Sequence, residues 1–206
     1  MKKTLILLFA LIAIISFALE FYNNYQENDP SKLGPSGIFS DVDNGDNSSA
    51  SNNDNPNNSS ANDSNVIAAM DFIVYMQDGT SVNLSDFYGK PIVVNFWATW
   101  CGPCKSELPA FETLYNEYGE DVNFMMVNLT DGAQETVSGV SDFVTENNYH
   151  FPVYFDTDVD AAMTYSVYSI PATLFIDADG NIVASHLGAM SESTLRNYIE
   201  QLLITN

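Results

Sequence analysis

The chain of 206 residues predicts an α/β layer fold across its C-terminal part, and three observations carry that reading. Strand and helix signals alternate from Val66 to Asn206. The run Pro91 to Ala98, PIVVNFWA, is apolar and β-branched almost without a break, the pattern of a central strand buried on both faces. Asp177-Ala178-Asp179-Gly180, between two strand-like runs, is a strong hairpin signal.

In order, Asp71 to Met76 alternates as a strand, Gln77-Asp78-Gly79-Thr80 reads as a turn, and Ser81 to Leu84 is the returning strand, giving an N-terminal β-hairpin. The central strand ends at Thr99-Trp100-Cys101-Gly102-Pro103-Cys104, where a helix begins and runs to about Tyr118, with a kink expected at Pro109. Val122 to Leu129 is a second buried strand. Thr130 or Asp131 is expected to cap a helix reaching Asn147. Phe151 to Phe155 is a short strand and Asp158 to Tyr165 a short helix. Thr173 to Asp177 and Ile182 to His186 are the strands of the last hairpin. Ser191 then caps an amphipathic helix carrying Leu195, Ile199, Leu202 and Leu203.

Before this domain the composition changes twice. Lys2 and Lys3 precede an apolar run from Thr4 to Leu19, followed by Glu20, Phe21 and Tyr22. A basic start before such a run is an export signal. Residues 1–22 are read as a signal anchor, with Phe21, Tyr22 and Tyr25 placed as interfacial aromatics. Cleavage as a signal peptide after Ala18 stays open, in which case the chain is secreted. The lysines set the remainder outside the cytoplasm. Residues 23–65 are dominated by Asn, Asp, Ser, Gly and Pro, and such a stretch buries too little apolar surface to offset its ordering entropy. It reads as a disordered tether, leaving 66–206 as the folded domain.

Charge narrows the partners. The chain carries 6 Lys+Arg against 27 Asp+Glu, a net charge of −21, and the folded domain holds only Lys90, Lys105 and Arg196 as strong bases. A nucleic-acid partner needs basic clusters, so that class is excluded. The acidic surface serves solubility, or steers toward basic partners at low salt. Nothing in the sequence calls for more than a monomer.

The chemistry sits at Cys101-Gly102-Pro103-Cys104. A thiol in the first turn of a helix meets unpaired N–H groups and the positive end of the helix dipole, which both favour thiolate. Cys101 is therefore expected to be the exposed, acidic nucleophile. Cys104, one turn on, can close onto it as a disulfide and faces the interior. The pair then supports attack, mixed disulfide and resolution in one segment. A purely structural disulfide over so short a loop adds little stability. A metal site needs further ligands, and the only histidines, His150 and His186, fall on separate strands; no metal and no cofactor beyond the cysteine pair is expected.

These residues resemble a known family. Gly89-Lys90-Pro91, Val94 through Cys104, Glu107-Leu108-Pro109, Phe151-Pro152-Val153, Ser169 through Asp177 and Gly180 look like the thioredoxin-like fold, and more narrowly the membrane-anchored TlpA/ResA-type thiol:disulfide oxidoreductases. The resemblance covers nearly the whole folded domain. It implies a central mixed β-sheet flanked by helices, with the β-hairpin as an N-terminal extension. It further implies a cis peptide at Ile170-Pro171 lying against the Cys101–Cys104 disulfide, with Ile170 pairing to a substrate strand. Trp100, Gly102 and Pro103 are implied as substrate contacts, with lid packing the plainer role for Trp100. Trp97 is expected in the core. The Gly102-Pro103 pair favours a reducing poise.

Two departures matter. Thioredoxins carry a buried Asp on the central strand where this chain has Asn95, which cannot ionise. By resemblance Glu107 takes over the proton, its carboxyl raised by partial burial; the plainer alternative is a solvated first-turn Glu favoured by the helix dipole. Ala172 stands where many relatives have Thr, and Lys105 sits beside Cys104. The expectation is an extracytoplasmic reductase passing electrons from a membrane thiol donor of the CcdA/DsbD kind to disulfides of exported proteins. Cytochrome c maturation and regeneration of a methionine sulfoxide reductase are the implied tasks. A net disulfide-forming oxidase is the alternative within the same chemistry, and a non-catalytic thioredoxin-fold binding module the alternative outside it.

Overall fold

The computed structural model describes residues 67–204. The signal segment 1–22, the tether 23–65 and residues 66, 205 and 206 lie outside the described residues, so the expectations for them stand as expectations. Among the described residues no helix is long and apolar enough to cross a membrane.

Eight strands form one mixed sheet: β1 (Ile67–Ala68), β2 (Ile73–Tyr75), β3 (Ser81–Asn83), β4 (Ile92–Trp97), β5 (Asn123–Asn128), β6 (Val153–Phe155), β7 (Ala172–Ile176) and β8 (Asn181–Leu187). Their order across the sheet is β1-β8-β7-β4-β5-β6-β2-β3. The helices are α1 (Gly102–Tyr118), α2 (Val137–Glu146), α3 (Asp160–Thr164) and α4 (Glu192–Ile204). Strand β4 lies at the centre, parallel to β5 and antiparallel to β7. All six of its residues are buried, which is why the sequence there runs apolar on both faces.

Alternation along β4 sorts its side chains onto two cores. Val93 and Trp97 pack with Leu108, Phe111 and Leu114 of α1 and with Leu195, Ile199 and Leu202 of α4. Val94 and Phe96 pack on the other face with Val74, Leu84 and Tyr165. The hairpin β2–β3 thus supplies part of a core rather than hanging from the sheet. It joins the sheet edge where Tyr75 pairs with Phe155 of β6.

Several boundaries differ from the sequence reading. Leu84 leaves β3 to start a short 3-10 helix, Leu84–Phe87, because its side chain is fully buried beneath the hairpin. Strand β1, two residues long, was not signalled; it is held by pairing with Ile182 and Asn181 of β8. Helix α2 is capped by Thr136, whose hydroxyl accepts from the Gly139 N–H, and neither Thr130 nor Asp131 does that work. Asp131 instead accepts three backbone N–H bonds, from Ala133, Gln134 and Glu135, and so shapes the loop before the helix. Helix α1 ends at Tyr118 as expected, with Pro109 inside its span. The last hairpin forms as expected, with Gly180 at φ 86°; a Cβ there would come within 2.7 Å of the Tyr88 ring.

Core substitutions should report this arrangement. Leu108→Ala, at a position with 0% exposure, is expected to lower unfolding free energy by about 2–5 kcal/mol in urea titrations. Met163→Ala, at a position 71% exposed, is expected to change it by less than about 0.5 kcal/mol.

Candidate active site

The site forms where β4 gives way to α1. Cys101 is the N-cap of α1, with extended backbone, and its Sγ accepts from the Cys104 N–H at 3.1 Å. Proline falls in the first helical turn, where a missing N–H costs nothing. Cys101 and Cys104 are joined in a disulfide with Cα atoms 5.2 Å apart.

Against this disulfide lies the loop leading into β7. The Ile170–Pro171 peptide is cis, and the Ile170 carbonyl oxygen is 3.7 Å from Cys101 Sγ. That loop is pinned by the Gly188 N–H, which donates to the Pro171 carbonyl at 2.8 Å. Ala172 follows as the first residue of β7, opposite Phe96. Gly102, Pro103 and Lys105 are exposed. Trp100 stands 52% exposed, whereas Trp97 is fully buried. The expectation of an exposed Cys101 needs correction: it is 5% exposed in this oxidised form, because the disulfide folds it against Ile170, and Cys104 is fully buried.

Glu107 is also not the solvated first-turn residue that its position allowed. It points inward from α1 and is 1% exposed. One carboxylate oxygen accepts from Asn95 Nδ2 at 2.9 Å, and the other from the Met190 N–H at 2.8 Å. Burial pushes its pKa up to about 7, and the two hydrogen bonds oppose that rise without cancelling it. Asn95 Nδ2 also donates to Thr173 Oγ1 at 3.0 Å, whereas Asn95 Oδ1 is buried and accepts from no described group.

A second buried carboxylate was missed by sequence reasoning. Glu135, 2% exposed, accepts from both the N–H and the hydroxyl of Thr99, each at 2.6 Å, and from Asn128 Nδ2 at 2.7 Å. It ties the loop shaped by Asp131 to the residue two before Cys101. Only the fold brings positions 99 and 135 together, so no local pattern could have flagged the pair.

Beside Trp100 opens a groove of about 250 Å³, walled by Leu129, Val159, Ala162 and Val167 with Asp131 on its lining. The histidines take no part in the site. His150 is bound to Glu112 at 2.7 Å, and His186 packs on the Tyr198 ring. Among the described residues no group of His, Cys, Asp and Glu could hold a metal ion.

A dithiol/disulfide pair at a helix start, a cis-proline loop against it and a mixed sheet behind it define a thioredoxin-fold thiol-disulfide oxidoreductase. Comparison with known proteins agrees. Residues 56–202 match the Redoxin family model, and the chain belongs to that family. It is 34% identical over 135 residues to the thiol-disulfide oxidoreductase ResA of Bacillus cereus, spanning 65% of this chain and 76% of the relative. The crystal structure of StoA from Bacillus subtilis superposes with a TM-score of 0.56 at 27% identity, covering 63% of this chain and 96% of StoA. A secreted Mycobacterium tuberculosis disulfide oxidoreductase, described as homologous to Escherichia coli DsbE, superposes with a TM-score of 0.55 at 27% identity, covering 64% of this chain and 96% of that one.

The raised carboxyl makes stability depend on pH. Glu107 holds its proton more tightly folded than unfolded, so its favourable contribution is complete below its ordinary pKa of 4.5 and is lost as pH rises through about 7. Glu107→Gln removes that loss. In the oxidised protein the variant should match wild type near about pH 4 and exceed it by about 3 kcal/mol near about pH 8, read from denaturant unfolding across pH. A difference that stays constant with pH contradicts the assignment.

Proposed function

We propose that this chain is an extracytoplasmic thiol-disulfide reductase, tethered to the membrane by residues 1–22, that carries electrons from a membrane thiol donor of the CcdA/DsbD kind to disulfides of exported proteins. The observation that carries the reading is the buried Glu107 carboxyl, one helical turn from the fully buried Cys104 in the helix that Cys101 caps. The basic start and apolar run of the N-terminal segment support export, as do the secreted relative and the ResA similarity. Cytochrome c maturation is the leading task, with regeneration of an exported methionine sulfoxide reductase as the other.

In the reduced protein, Cys101 is the attacking thiolate. The Cys104 N–H and the start of α1 stabilise its charge. Its sulfur bonds to one sulfur of the substrate disulfide, and the other leaves as a thiolate that takes a proton from solvent. Substrate backbone pairs beside Ile170 and Pro171, while Trp100 and the groove next to it take a substrate side chain. Gly102 and Pro103 keep the approach open, being exposed at the helix start.

Resolution needs Cys104 to become a thiolate and attack Cys101 Sγ, releasing the second substrate thiol. Two electrons have then moved from the dithiol to the substrate, and the Cys101–Cys104 bond has formed. Cys104 is shut off from water, so its proton goes to an internal base. Glu107 suits that task because a group with pKa about 7 both accepts and releases a proton near neutral pH. Once Glu107 is protonated, rotation of the Asn95 amide offers its idle Oδ1 as acceptor. Asn95 thus holds the carboxyl in either state without ionising. The membrane donor reverses the sequence to restore the dithiol.

The test is the reduction potential of the Cys101–Cys104 couple, measured by equilibration with thiol/disulfide buffers and thiol trapping. The reading predicts a value near the thioredoxin end, about −270 mV. A value near about −120 mV assigns the protein to disulfide formation instead. A pair that never cycles leaves only a binding module.

A further inference from the structure

The second residue of the groove wall to stand out is Val159. It is 47% exposed and adopts φ 61°, ψ 20°, a left-handed conformation that β-branched side chains rarely adopt. Such outliers persist only where their surroundings over-determine them, and they gather at functional sites. Here the surroundings are the N-terminal hairpin. Asp158, just before Val159, accepts from the Tyr75 hydroxyl at 2.6 Å, and Asp160, just after it, accepts from the Ile73 N–H at 2.7 Å. Both donors belong to β2. The same segment is fixed from below by Asp156, 1% exposed, whose carboxylate accepts from the Ala161 and Ala162 N–H groups. A third tie runs from the Tyr165 hydroxyl to the Met70 carbonyl at 2.7 Å, with Phe72 edge-on to the Tyr165 ring.

The hairpin therefore grips the chain on both sides of one strained residue, and that residue shares a groove with Trp100, the neighbour of the nucleophile. At about 250 Å³ the groove is smaller than the roughly 300–1,000 Å³ of a small-molecule site and has room for one large side chain. Its walls are mainly aliphatic and aromatic, and the two carboxylates on its lining, Asp131 and the buried Asp156, disfavour an acidic occupant.

We propose that the hairpin is a selectivity device: through Tyr75 and the backbone of Ile73 it holds Val159 as the groove wall, so that the site prefers disulfides flanked by a large apolar residue over those flanked by an acidic one. Val159 is the specificity-determining residue and Tyr75 the positioning residue. The proposal rests on the reductase reading, in that it presumes a polypeptide disulfide bound at Trp100.

The experiment uses the full chain, reduced, in single-turnover oxidation followed by quenched-flow thiol trapping. Its substrates are a synthetic peptide with an intrachain disulfide and Leu beside one cysteine, the same peptide with Asp there, and hydroxyethyl disulfide, which is too small to fill the groove. Val159→Gly, which also relieves the left-handed strain, is expected to raise the half-saturating concentration of the Leu peptide roughly tenfold and to narrow its advantage over the Asp peptide. Tyr75→Phe, which removes only a hydroxyl outside the groove, is expected to act in the same direction by about threefold. In Tyr75→Phe, limiting rates and reactivity with hydroxyethyl disulfide stay at wild-type values. Unchanged half-saturation in both variants overturns the proposal, as does an equal loss with hydroxyethyl disulfide. Wild-type protein that oxidises with neither peptide nor hydroxyethyl disulfide defeats the exchange chemistry itself, a result distinct from the other two.

Discussion

One cysteine caps the helix that it begins, and the site is built around that contact. Because Cys101 Sγ receives the Cys104 N–H, the charge that the reaction needs on sulfur is met by a backbone donor already fixed in place. No side-chain cation is required, which suits a domain with three strong bases. The cap is backed by closely packed structure. Strand β4 is buried along its whole length, and α1 packs onto it through Leu108, Phe111 and Leu114. The junction is thus clamped between a central strand and a core helix.

Two of the buried carboxylates, Glu107 and Glu135, divide the remaining work. Glu135 accepts three hydrogen bonds and is committed to structure, fixing Thr99 and with it the approach to Cys101. Glu107 accepts only two, and burial outweighs them, which leaves it poised near neutrality. Asn95 completes the site: an Asp there would place two carboxylates on one buried contact, whereas the amide donates to Glu107 at 2.9 Å.

Much of this was legible in the sequence, and the exceptions share a cause. The Cys101–Cys104 spacing, the apolar run of β4, the Asp177–Gly180 turn and the last helix are local patterns, and each reads correctly within a few residues. The family resemblance placed Ile170-Pro171 beside the disulfide, where the structure has it, in cis. The cap of α2 was misplaced because Asp131 and Thr136 both carry capping chemistry, and the choice fell to which loop geometry best served Glu135 and Thr99. Glu107 could be read as solvated or buried until α1 was rotated against β4. Strand β1, the Glu135 clamp and the strained Val159 exist only through contacts distant in sequence, and no periodicity announces them.

The account turns on Glu107 taking the proton of Cys104. The direct measurement is the rate of the resolving step against pH. Cys101 is first trapped as a mixed disulfide with a small thiol, and release of that thiol is then followed from about pH 5.5 to 8.5 in wild type and in Glu107→Gln. Wild type should show an inflection near pH 7, where Glu107 titrates, and the variant should lose it and resolve about a hundredfold more slowly at neutral pH. An unchanged inflection and rate in Glu107→Gln would assign the proton to another group and contradict the account.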